Sequence, residues 1–194
     1  MPSKHPIILA SASPTRRILL ERLGLPFEID PADIDESARP DETPQQLCQR
    51  LAAEKAACVL ARHPQAIVIG SDQLLECNAT ILGKPGNAEQ ARAQLERISG
   101  QTVIFHVGLT ICTQATRFDW HETVTTTMRT LDPQTIERYI EIEQPFACAG
   151  SMRSEGLGAA LVESMQSNDP SAILGMPMIA TARGLRAMGA DPLG

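Results

Sequence analysis

The segments QTVIFHVGLTIC (101–112) and FDWHETVTTTMRTL (118–131) constrain this chain most. Both place β-branched residues at many alternating positions and read as long strands. They follow one another with no helix between them. Upstream, strand and helix patterns alternate instead. The combination points to an α/β fold with a mixed sheet and flanking helices, not an all-parallel one.

The upstream pattern begins with PIILAS, a short strand. In SPTRRILLERLG, Ser13 caps a helix, Pro14 suits its first position and Gly24 stops it. Leu19, Leu20 and Leu23 give that helix an apolar stripe. PFEID reads as a second strand, and residues 31–43 as a polar loop. Thr43 and Pro44 open a long helix that runs to about residue 63. AIVIGSD is the next strand, and the segment around Ile81 and Leu82 is placed to pair with it in a hairpin. NAEQARAQLERISG, DPQTIERYIEIE and MPMIATARGLRAMGA read as helices. Residues 146–164 are Gly-rich with short apolar pieces, and the final GADPLG reads as a frayed tail. No repeat or linker divides the 194 residues, so residues 1–194 are expected to form one domain, with room for two lobes around a cleft.

Charge and cysteine usage narrow the function class. Lys and Arg number 17 against 23 acids, a formal net charge of -6. That balance argues against nucleic-acid and anionic-membrane partners, while a local cluster of cations is enough for a phosphate ligand. No stretch approaches the roughly 20 apolar residues of a membrane span. The opening MPSKHPIILASAS has no long apolar run between a basic start and a cleavage site, so no signal peptide is expected. The five cysteines (Cys48, Cys58, Cys77, Cys112 and Cys148) include no C-x-x-C pair, which leaves neither a zinc knuckle nor a redox pair. Reduced thiols suit a cytoplasmic enzyme. The four histidines are scattered and form no H-x-x-x-H.

Four islands carry chemistry. In SASPTRR a strand end meets a helix start, and Ser11, Ser13 and Arg16 sit where free N–H groups and the helix dipole favour an anion. A capped surface helix has the same signature. In DIDES, three acids (Asp33, Asp35 and Glu36) offer oxygens to a hard divalent cation, or form a solvated turn. Lys55 lies on the apolar stripe Leu47, Leu51, Cys58 and Val59, so it must snorkel, pair or reach into a cavity. In AIVIGSDQLLE, Asp72 stands inside an apolar strand pattern, where an unpaired charge is costly. Lys84 follows in a Gly-Lys-Pro turn. A structural Asp–Lys pair and a phosphate-binding cleft both account for these charges.

Taken in order, LASASPTRRILLERLG, DIDES, LAAEKA, IGSDQ, GKP, ISGQT, CAGSMRSEGLG and ILGMPMIA resemble the Maf family of nucleotide pyrophosphatases over residues 7–188. The resemblance implies a mixed α/β fold of the Maf and inosine triphosphate pyrophosphatase-like kind, with a central cleft and often a homodimer. It implies hydrolysis of a nucleoside triphosphate between its α and β phosphates, with Mg²⁺ or Mn²⁺ as cofactor. The family's proton acceptor falls on Asp72. Its phosphate-gripping positions fall on Ser13, Arg16, Lys55 and Lys84, and its metal positions on Glu36 and Asp72. Cations beside the phosphates, an aligned water and a base are what phosphoanhydride hydrolysis requires. A nucleotide-binding regulator of septum formation is the alternative class, although binding alone needs no base.

Within the family, one branch resembles dTTP and UTP pyrophosphatases and another resembles enzymes acting on 7-methyl-GTP. Thr15, Gln73 and Glu155 match the second. Guanine presents two adjacent donors, which one carboxylate accepts, and methylation at N7 adds a positive charge. Thymine and uracil would turn carbonyl oxygens toward the same acid. One Trp, one Tyr and four Phe leave few aromatic faces, so recognition should lean on hydrogen bonds and charge.

Overall fold

The computed structural model describes residues 5–194; Met1–Lys4, the start of the segment read above as lacking a signal peptide, lie outside the described residues. The strands are β1 (Ile7–Leu9), β2 (Glu28–Ile29), β3 (Ile67–Cys77), β4 (Thr80–Leu82), β5 (Thr102–Cys112), β6 (Arg117–Met128) and β7 (Val162–Gln166). They make one sheet in the order β2-β1-β3-β5-β6-β7, with β4 paired to β3. The β1 strand runs parallel to both β2 and β3, and every other pairing is antiparallel. The sheet is therefore mixed, as the two consecutive long strands require.

The helices are α1 (Pro14–Glu21), α2 (Pro44–Arg62), α3 (Ala88–Ile98), α4 (Pro133–Glu143) and α5 (Met178–Ala187). The side chains of Ser13, Thr43, Asn87 and Asp132 accept backbone N–H groups at the first four N-termini. Each satisfies a donor that the helix itself cannot. On α5, Ser171 Oγ and Asp169 Oδ2 take the N–H groups of Met178 and Ile179 from outside the helix, each at 2.7 Å.

Three elements differ from expectation. The β3 strand does not stop at Gly-Ser-Asp; it runs on to Cys77 and turns into β4 through Asn78 and Ala79, both at positive φ. The β2 strand is only two exposed residues long. The β7 strand was not foreseen in the Gly-rich stretch, because Val162–Gln166 is exposed along most of its length and carries no alternation. Its ladder to β6 makes it a strand. The tail also differs: Ala190 is buried, and its N–H reaches the Leu185 carbonyl beyond the end of α5.

Side chains divide by face. On one face, α1 and α5 cover Leu9, Ile67, Ile69 and Leu109. Further along that face, α3 and α4 cover Leu75, Phe105 and Val124. The opposite face carries α2, whose Ala56 and Val59 meet Ile8 and Val68. Gly70 and Gly108 let α2 come down close. A Cβ on Gly70 would lie 2.2 Å from the Ala52 carbonyl oxygen, and one on Gly108 2.5 Å from that of Cys48.

Among the described residues, one buried side-chain polar atom lacks a partner. Thr126 is fully buried, flanked on β6 by the core residues Val124 and Met128, and its hydroxyl finds no hydrogen-bond partner. Valine has the same shape without the unmet group. Thr126→Val should therefore raise stability by about 1 kcal/mol, read as a higher urea midpoint at unchanged slope. A lower midpoint would show that the hydroxyl is satisfied in solution.

Candidate active site

The site begins with a gap in the sheet. The β1 strand pairs with Ile67–Ile69 of β3, and β4 pairs with Leu75–Cys77. Between them, Gly70 to Leu74 has β5 on one side and, among the described residues, no strand on the other. Asp72 lies in that window, opposite Gly108 of β5. Ser71 and Gln73 point to the α1/α5 face, and Asp72 points to the α2 face.

Asp72 is 6% exposed and not alone. Lys55 Nζ on α2 donates to its Oδ1 at 2.6 Å. The same ammonium lies 2.7 Å from Glu36 Oε1. Lys55 thus sits between two carboxylates, one buried and one more than half exposed. Of the three readings open for Lys55, pairing holds. Below it, the Cys48 thiol donates to the Asp72 and His106 carbonyls and receives the Gly108 N–H. Burial first, and then the charge of Asp72, pushes the Cys48 thiol up, so it stays a neutral donor.

Glu36 rides on the loop between β2 and α2. Partial burial alone would raise its carboxyl, but the Lys55 hydrogen bond and the charges of Lys55, Lys84 and Arg16 hold it below the usual range. Exposed Lys84 and Arg16 of α1 therefore act on the same carboxylate. The loop itself is clamped by Arg50. Its guanidinium grips both oxygens of Glu42 at 2.6 and 2.9 Å, takes Glu54 at 3.0 Å and reaches the Ser37 carbonyl at 2.9 Å. Glu42, held by Arg50 and by the Arg39 N–H, falls to about 2.

Across the gap, the α1 start and the Gly175 turn form the other wall. Ser13 Oγ caps α1 through the Arg16 N–H, and Ser11 Oγ accepts both the Ser13 N–H and Arg16 Nη1. Arg16 Nε and Ser71 Oγ both donate to the Gly175 carbonyl, each at 2.9 Å. Gly175 has φ +92°, and a Cβ there would crowd Arg16 Nε and Gln73 Oε1, each at 3.3 Å. Gln73 Nε2 reaches the Ile173 carbonyl at 2.9 Å. Thr15 Oγ1 donates to Glu155 Oε1 at 2.9 Å, which brings two of the three branch-marking positions into contact across 140 residues of chain. Ser71 and the Gly175 carbonyl were given no role from sequence. The motif ILGMPMIA contained the signal, a glycine between apolar residues with nothing local to explain it.

The scattered histidines are not all apart in space. His106 and His121 share a hydrogen bond at 3.3 Å, and the other His106 nitrogen meets Glu76 at 2.8 Å. Both His106 nitrogens are engaged, and among the described residues no group of three or more His, Cys, Asp or Glu is disposed to cage a metal.

The arrangement of motifs matches a known family. A family model described as Maf-like protein fits residues 6–188, most of the chain. The chain belongs to the Maf family. Among its Maf relatives, a 7-methyl-GTP pyrophosphatase of Albidiferax ferrireducens is 46% identical over 195 residues, spanning 100% of this chain and 98% of that protein. One from Nitrosococcus oceani is 49% identical over 185 residues, 92% of each chain. One from Polaromonas is 46% identical over 190 residues, 97% of this chain and 87% of that one.

Two measurements follow from these charges. Lys55→Met strands the buried Asp72 carboxylate and should cost about 3 kcal/mol. Adding Asp72→Asn should recover part of that loss, and a Lys55→Met protein as stable as wild type would contradict the pairing. Glu42 is depressed from an ordinary 4.5 to about 2. Between those values the unfolded chain binds the extra proton, so stability rises with pH across that window. The Arg50 clamp is fully present above about 4.5 and is lost as pH falls through about 2. Glu42→Gln should flatten this part of the acid-denaturation curve.

Proposed function

We propose that the protein is a nucleoside triphosphate pyrophosphatase that acts on 7-methyl-GTP and releases 7-methyl-GMP and pyrophosphate. The observation that carries the reading is Lys55 held between Asp72 and Glu36 beside an opening in the sheet, with Arg16 on its other wall. The names of the Maf relatives support the reaction and the nucleotide.

A triphosphate seated in the gap meets cations from both faces of the sheet. Arg16 is suited to paired contact with phosphate oxygens, and Lys55 and Lys84 act as point charges. Ser13 helps by fixing the first turn of α1, where backbone N–H groups favour an anion. Asp72 orients a water with the carboxylate oxygen not taken by Lys55. The water oxygen bonds to phosphorus, the α–β anhydride bridge breaks, pyrophosphate leaves with the bridging oxygen, and the water proton passes to Asp72.

The donor set fits a hard divalent cation such as Mg²⁺ or Mn²⁺, which takes one or two carboxylates and completes its shell with phosphate oxygens and water. Glu36 and Asp72 would hold it. When bound, it supplies further neutralisation of phosphate charge.

For the base, Glu155 is the acceptor for the two adjacent guanine donors. Thr15 fixes the carboxylate plane through Oε1. Gln73, tied to the Ile173 carbonyl, lines the same wall. Five free thiols accord with a cytoplasmic enzyme, and a homodimer is the assembly that light scattering should find.

The test is pyrophosphate release from 7-methyl-GTP, GTP, dTTP, UTP and CTP with Mg²⁺ or Mn²⁺ present. Preference for 7-methyl-GTP is expected, and Glu155→Gln should weaken it far more than turnover of a pyrimidine substrate. Asp72→Asn should lower kcat by about 10²–10⁴-fold in a folded protein. Turnover near wild type in that variant would remove Asp72 as the base. Nucleotide binding without turnover across the panel would favour a regulator.

A further inference from the structure

The turn that carries Lys84 and the loop that carries Glu155 are joined by hydrogen bonds the mechanism above does not use. The chain starts at the Gly83 carbonyl, next to Lys84. That oxygen accepts the Gly150 N–H and Gln94 Nε2, each at 3.1 Å. Gln94 Oε1 accepts Ser151 Oγ at 2.6 Å. The Ser151 carbonyl accepts Tyr139 Oη at 3.0 Å, and Tyr139 Oη accepts the Arg153 N–H at 2.9 Å. Two residues on stands Glu155. Its neighbour Ser154 donates to the Ile173 carbonyl at 3.2 Å, the oxygen that also holds Gln73. Tyr139, remote from every motif in the sequence, thus reaches the CAGSMRSEG segment directly.

The geometry is tightly determined. Gln94 can face only one way, because its oxygen meets a hydroxyl and its nitrogen a carbonyl. Reversing the amide would set oxygen against oxygen. Ser151 is fully buried at φ +59°, directly after Gly150 at φ +61°. A buried non-glycine residue persists in that region only where its surroundings over-determine it. Here the hydroxyl and the carbonyl are both claimed, by Gln94 and Tyr139.

We propose that Gln94 is a positioning residue: through Ser151 and Tyr139 it locks the phosphate-gripping turn of Lys84 to the base-reading loop of Glu155. The site then measures the separation between triphosphate and base as one rigid unit, so affinity and base preference change together. This rests on the roles proposed above for Lys84 and Glu155.

The decisive variant is Gln94→Met, similar in length but unable to donate or accept as the amide does. Assayed well below its melting midpoint, it should raise KM for 7-methyl-GTP about tenfold, leave kcat within about twofold and lower the preference over GTP by a similar factor. Ser151→Gly keeps the backbone conformation, removes the hydroxyl and should reproduce the effect if Gln94→Met folds poorly. Val124→Ala, in the core cluster that also holds Tyr139, controls for lost stability and should leave KM unchanged. Wild-type KM and preference in both strap variants overturn the proposal, as does an equal KM rise in Val124→Ala. Lys84→Ala and Glu155→Gln separate the layers. If they alter KM and preference while the strap variants do not, only the strap fails. If they too are silent, the site reading falls and takes the strap with it.

Discussion

The close seat of α2 on the sheet is the constraint on which the site depends. Side chains at residues 70 and 108 would hold the helix away, and both positions are glycine. With the helix down, the Lys55 stem delivers its ammonium to Asp72, and the Cys48 sulfur reaches strand carbonyls. A buried ion pair is a weak source of net stability, since desolvation offsets much of its attraction. Its value here is positional. The carboxylate and the ammonium are each fixed by the other, on elements pinned by backbone contact.

The second determinant is the break in strand pairing along β3. A continuous partner would have buried both edges of Gly70–Leu74 in ladder hydrogen bonds. With β1 ending early and β4 starting late, one edge stays open beside side chains that strand alternation already sends to both faces, Asp72 to one and Ser71 and Gln73 to the other. On that one edge of β3 the β1 partner is parallel and the β4 partner antiparallel, so the two arrive from different connections and leave the stretch between them open. A mixed sheet is thus part of how the cleft is made.

The elements that sequence displayed are those whose signals are local. Serine, threonine, asparagine and aspartate caps marked four helix starts, and β-branched alternation marked β5 and β6. Lys55 on an apolar stripe and Asp72 in a strand announced that they needed partners. What sequence withheld was the choice of partner and everything carried by backbone oxygens. The carbonyls of Gly175, Ile173 and Gly83 organise side chains from distant segments, and a carbonyl has no residue type. The β7 strand stayed hidden because its side chains are mostly solvent-facing and its pairing to β6 alone defines it. The sequence pattern AIVIGSD marks the strand only as far as Asp72, because the charge interrupts the apolar run there, whereas β3 continues to Cys77. Here the strand continues and the edge belongs to its missing neighbour.

The brevity of the outer strands has a consequence for the molecule in a crowded solution. The sheet ends in β2, two residues long, on one side and in β7, five residues long, on the other, while β4 offers three. Exposed strand edges template pairing between molecules, and length and flatness set the hazard. A register shift at Thr127/Met128 disturbs the ladder beside β7, and Glu163 adds charge there. The long, strongly β-forming strands β3 and β5 lie inside the sheet, whereas β6 is covered by β7 only at Thr125–Met128, and its outer edge from Arg117 to Val124, which has no strand partner among the described residues, carries Arg117, Asp119 and Glu122 as charges that discourage pairing. The strand order thus shields β5 on both edges, while the open edge of β6 is guarded by charge instead of by a neighbour.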